Sequence, residues 1–114
     1  QLKEVVGHVC DTERILSYRA LRISRKDQTP LPGFDENTYT PAANYNKRTL
    51  QSTASELDAV RGATLALVEN LSPEMLDLNG TSNNTMMTVR AVIFFIYVHL
   101  QHHMKVIREK YLGV

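Results

Sequence analysis

The 114-residue chain has one cysteine, no tryptophan and no apolar run long enough to cross a bilayer. The single Cys10 excludes an internal disulfide and fits a reducing cytosol, so cytoplasmic residence is expected. In the most apolar part of the chain, the longest stretch free of charge or histidine runs from Ala91 to Val98. A spanning helix needs about 20 apolar residues, so a buried core helix is expected there and no membrane anchor. No signal peptide is visible. Neither sign of charge dominates: 13 Lys+Arg against 12 Asp+Glu leave a net +1. The basic residues are dispersed, which argues against nucleic acid or anionic membrane as a partner. The rest of the composition is that of an ordinary soluble globular protein, with 43% hydrophobic and 22% charged residues. This length allows one core and predicts a single domain over residues 1–114.

Periodicity then predicts an all-α protein. From Leu2 to about Arg25, Val5, Val9, Thr12, Leu16, Ala20 and Ile23 fall on one third of a helical wheel. His8 sits at the border of that stripe with Ile15 and Arg19 beside it, and Asp11, Glu13, Arg14 and Ser17 fill much of the other face. Lys26 to Asn46 carries three prolines and a glycine within a dozen residues, which predicts a long connection and no continuous helix. Phe34, Tyr39 and Tyr45 give that connection apolar anchors. Helical period returns from Lys47 to Leu71 with Leu50, Ala54, Leu57, Val60, Thr64, Leu67 or Val68, and Leu71. Ser72 followed by Pro73 predicts a capped short turn. Asn79 to Asn84 is expected to be a loop. Thr88 then caps a last helix reaching Leu112, whose stretch Val92–Val98 is expected to be core. No strand pattern survives the helical reading.

Histidine is scarce as well, four in the chain, yet three fall within five positions of that last helix. His99 and His103 are i and i+4, so they share one face and continue the stripe of Val92 and Ile96. His102 points away from them, toward the surface or the edge of a site. Neutral imidazole is a common ligand for zinc and also suits nickel, copper and ferrous iron. The pair is not a zinc-protease motif, which needs glutamate directly after the first histidine, where this chain has Leu100. His8 is a candidate third ligand, although spacing alone does not carry it to the other two. Arg19, near the His8 face, suits an anionic substrate or a helix-surface ion pair equally well. Asp11 and Glu13 read as solvated or ion-paired, Asp35 and Glu36 as loop-end caps or groups at a site mouth, and Cys10 as a small buried hydrophobe.

The segment KEVVGHVCDTERILSYRALR, the loop PLPGFDENTY and the terminal VHLQHHMKVIREKYL together resemble the DinB-like superfamily of damage-inducible helical bundles, along the whole chain. The resemblance implies a four-helix bundle with one histidine from an early helix and an H-x-x-x-H pair from the last long one. By motif these are His8, His99 and His103, holding a divalent metal: zinc or nickel first, iron or manganese as alternatives. It also implies a long helix before Gln1 that has no counterpart here. That difference predicts either a truncated sequence or a partner chain covering an exposed inner face, as in a homodimer. The function implied is a metal-dependent enzyme acting on a small-molecule substrate, either an S-transferase using a low-molecular-weight thiol or a hydrolase. Arg19 would receive the substrate or thiol. The alternative is a non-catalytic metal-binding stress-response bundle.

Overall fold

A computed structural model describes residues 1–113 of the chain. Three long helices carry the architecture: α1 (Leu2–Ser24), α3 (Leu50–Glu69) and α5 (Val89–Lys110). Between them lie a short helix α2 (Glu36–Ala43), a 3-10 turn at Tyr45–Lys47, a single turn α4 (Pro73–Leu76) and two strands, β1 (Asn79–Ser82) and β2 (Thr85–Thr88). Two of the long helices, α3 and α5, start where hydroxyl side chains satisfy the free backbone amides of a first turn. Thr49 accepts from Ser52 N and Thr88 from Ala91 N, both at 3.0 Å, and Ser72 likewise caps α4 by accepting from Met75 N at 3.2 Å.

Helix α1 is central, with α3 and α5 both packed on it. Its stripe of Leu16, Ala20 and Ile23 meets Val89, Val92 and Ile96 of α5, and Leu67, Leu71, Leu76 and Leu78 pack against this core. Being covered on two sides changes the reading of its polar face. Glu13, expected to be solvated or ion-paired, is 3% exposed and faces α3, where Arg61 donates to both its carboxylate oxygens at 2.6 and 2.9 Å. Cys10 is fully buried with its Sγ donating to Glu56 Oε2 at 3.5 Å; burial, with the Glu56 carboxylate beside it, pushes the thiol up to about 11. A protonated, buried thiol is not a nucleophile at neutral pH.

Four expectations are corrected. The Lys26–Asn46 connection contains a helix after all: Asp35 accepts from Asn37 N at 2.9 Å to start α2, which carries Pro41 within it. The Asn79–Asn84 loop and the residues after it form an antiparallel hairpin in which Ser82 pairs with Thr85 and Asn79 with Thr88. Asn83 and Asn84 supply two successive positive φ values of 52° and 62°, as a tight two-residue hairpin turn requires. The buried face of α3 is Thr53, Val60 and Thr64, while Leu50 and Ala54 are exposed. The two threonines can face inward because their hydroxyls donate back to the carbonyls of Thr49 and Val60. Finally, the stretch Val92–Val98 is not all core. Val92 and Ile96 are buried, but Phe94, Phe95, Tyr97 and Val98 are exposed, Phe94 by 66%, because only one side of α5 meets α1.

Tyr45 closes the connection onto α1. Its ring lies against the backbone of Gly7, where a Cβ would collide with it, and its hydroxyl donates to Asp11 Oδ1 at 2.6 Å. Leu31 is buried and ties the same connection to the hairpin, donating its amide to Thr81 O and accepting from Asn83 N, both at 2.9 Å. Among the described residues no helix is long and apolar enough to cross a membrane.

Candidate metal centre

The packing of α1 on α5 brings His8 across to the α5 pair. His99 Nε2 lies 3.2 Å from His8 Nε2, although 91 residues separate the two in sequence. Ring centroids are 5.0 Å apart for His8 and His99, 5.0 Å for His8 and His103, and 4.5 Å for His99 and His103, and all three pairs meet edge to face. One ring nitrogen from each can be chosen so that the three atoms lie within 4.8 Å of one another. All three histidines are half-buried, whereas His102 is exposed on the outer side of His103.

The environment of the α5 pair favours the neutral imidazole. Burial, with His103 and His8 adding to it, pulls the pKa of His99 down to about 4. Burial and the neighbouring His8 and His102 also lower His103, and the Glu36 carboxylate opposes that shift. A neutral imidazole presents a free lone pair, the form a metal needs. The donor set therefore fits a divalent ion: with M–N bonds of about 2.0–2.1 Å, two nitrogens on a tetrahedral ion sit roughly 3.3 Å apart, close to the His8–His99 separation. Three protein ligands leave coordination positions open for substrate or water.

Beside His99 opens a cavity of about 320 Å³. Arg19, Thr12, Phe34, Ser82, Phe95 and Glu36 are among the side chains lining it. Glu36 also lines a second opening that reaches His8, so its carboxylate stands at the mouth of the histidine cluster from α2. Asp35 is the α2 cap, Asp11 is held by Tyr45, and Glu13 is paired with Arg61; none of these three lines the cavity. Arg19 is buried, donating to Pro32 O at 3.0 Å and lying over the Phe34 ring at 5.9 Å. Thr12 was legible only as part of the α1 stripe. Ser82 lay in a segment expected to be loop, where nothing in the sequence marks it as a site residue.

Helices gathered round a histidine cluster that could hold a metal ion place the chain among the helical bundles. The chain belongs to the DinB superfamily, whose family model matches residues 2–107. Among solved structures it is similar to YfiT from Bacillus subtilis, described as a probable metal-dependent hydrolase with an unusual four-helix bundle topology. The two share a TM-score of 0.74 at 16% sequence identity, and the match covers 96% of this chain. The chain spans about two thirds of the length of that structure, 66%. No curated protein matches it.

Proposed function

We propose that the chain carries the active centre of a divalent-metal-dependent hydrolase acting on a small molecule, with His8, His99 and His103 as the ligands and zinc or nickel as the metal. The observation that carries this reading is the convergence of three imidazoles, with ligand atoms within 4.8 Å of one another, beside a cavity large enough for a small substrate. An ion held there supplies Lewis acidity and brings the pKa of a water or thiol ligand toward neutrality. Glu36 takes the part of proton acceptor: it is a carboxylate on an accessible helix, close enough to act electrostatically on His103 and shared by both openings to the cluster. Phe34 and Phe95 supply aromatic surface to the cavity wall. The similarity to a protein described as a probable metal-dependent hydrolase supports the same reading.

The test is elemental analysis combined with turnover of an activated ester. The purified protein is expected to hold about one divalent ion per chain and His99→Ala to lose it. Metal retained in full by His99→Ala would sink the ligand assignment. Ester turnover in the loaded protein is expected to fall about 10²-fold or more in Glu36→Gln with metal content unchanged. Turnover that requires an added thiol would replace the hydrolase by an S-transferase. Inertness of the loaded protein with either co-reactant would favour a non-catalytic metal-binding bundle.

A further inference from the structure

Arg19 is the one arginine of the described residues that is buried, at 8% exposure. Arg14, Arg22, Arg48, Arg61 and Arg90 each meet an acidic side chain. Arg19 meets none among the described residues; its hydrogen bond to Pro32 O uses one of five N–H donors. A buried cation without a counter-charge is costly, and the cost is removed when an anion is supplied. Two further polar groups are in the same condition. Thr12 Oγ1 and Ser82 Oγ are buried, at 5% and 1% residue exposure, and have no hydrogen-bond partner among the described residues. Such orphans are rare in folded proteins and call for a partner. All three groups line the one cavity beside His99. Thr12 and Arg19 are i and i+7 on α1, two turns apart on the same face, while Ser82 comes from β1.

We propose that this cavity is a carboxylate-binding subsite, in which Arg19, Thr12 and Ser82 hold the anionic end of a small acid while its reacting end lies at the three-histidine cluster. The second half of that statement rests on the metal-centre reading above; the first does not. One guanidinium and two hydroxyl donors match a single negative charge, and the Glu36 carboxylate at the mouth disfavours a dianion such as a phosphate monoester. The apolar wall of Leu16, Phe34, Met87 and Phe95 suits a short aliphatic or aromatic chain between the two ends. A cavity of about 320 Å³ holds a small metabolite rather than a polymer.

Calorimetric titration of chelator-treated, metal-free protein with sodium butyrate tests the subsite apart from the metal. Saturable binding is expected, with butyramide and methyl phosphate each at least ~10-fold weaker, since a charge-assisted contact is lost or a second negative charge is added. Arg19→Met is expected to weaken butyrate by ~10-fold or more, and Thr12→Val and Ser82→Ala by several-fold each, while the variants before chelator treatment hold as much metal as the parent. If circular dichroism shows that Arg19→Met does not fold, Ser82→Ala and Thr12→Val decide the matter. Equal binding of butyrate and butyramide, or butyrate affinity unchanged in the folded variants, overturns the proposal. Should His99→Ala retain its metal while butyrate binding still depends on Arg19, the ligand assignment fails and the subsite stands. Should metal bind as expected and butyrate not, the subsite alone fails.

Discussion

The ring of Tyr45 rests on the backbone of Gly7, one residue before His8, while its hydroxyl grips Asp11 one turn further along the same helix. The connection after α1 thus clamps the stretch of helix that presents His8. The absence of a side chain at position 7 is what lets the ring approach. In Gly7→Ala the added methyl would gain up to about 1 kcal/mol in helix propensity but must displace a rigid, buried ring. Losing the Tyr45–Asp11 bond as well, the variant is expected to be destabilised by about 2 kcal/mol net. Urea unfolding measures this, and a variant as stable as the parent would show that the ring does not bear on Gly7.

The Glu13–Arg61 pair is buried unequally: the Glu13 side chain is 3% exposed and that of Arg61 31%. Removing either partner should therefore not be equivalent. Arg61→Ala strands a carboxylate in the interface between α1 and α3 and is expected to cost about 3–5 kcal/mol. Glu13→Ala frees a guanidinium whose long side chain can reach water, and should cost distinctly less. Thermal unfolding of the two variants gives the order, and the reverse order would contradict the burial asymmetry.

Histidine also shapes the response to acid. His99 has a folded pKa of about 4 against 6.5 for the free side chain, so between these values the unfolded chain binds a proton that the folded one does not. The metal-free protein is expected to have its full stability from this group above about pH 6.5 and to lose it progressively as pH falls toward 4. The lowered pKa of His103 acts in the same direction. Unfolding free energies of the metal-free parent and His99→Gln from pH 7.5 to 4.5 check this, the parent's falling more steeply; parallel curves would remove His99 as the cause.

The i, i+4 pair and its neighbour should separate cleanly in metal binding. His103→Ala is expected to lose most bound metal, whereas His102→Ala, which removes an exposed ring outside the cluster, should keep it within about twofold. Competitive titration against a chromophoric chelator distinguishes the two. Loss of metal in His102→Ala alone would move the site to the outer face of α5.

Periodicity marked α1, α3 and α5 because each keeps an apolar stripe over five or more turns, and the caps at Ser72 and Thr88 were readable from single hydroxyl residues. It did not say how many sides of each helix are covered. Helix α1 is packed on two sides, which buries Glu13 and Cys10; α5 is packed on one, which leaves Phe94 and Tyr97 exposed. Pro41 hid α2, since proline weighs against a helix in any window. The hairpin was hidden by its composition, as Asn79–Thr88 has no alternating apolar residues; its one signal was the Asn83-Asn84 pair, suited to left-handed backbone. The histidine cluster needed tertiary information: spacing joins His99 to His103, but only the crossing of α1 over α5 brings His8 to them.

That crossing has a thermodynamic side. A ring closed through His8 and His99 encloses most of the polypeptide, and a cross-link over a loop of that size removes several kcal/mol of chain entropy from the unfolded ensemble, about 4–5 for a covalent one. An ion shared by the two helices would be a reversible version of such a staple, its strength set by free metal: about 4 kcal/mol at a thousandfold excess over its dissociation constant. Metal availability would then govern how long the folded chain survives heat or proteolysis, through the same three side chains that form the candidate site.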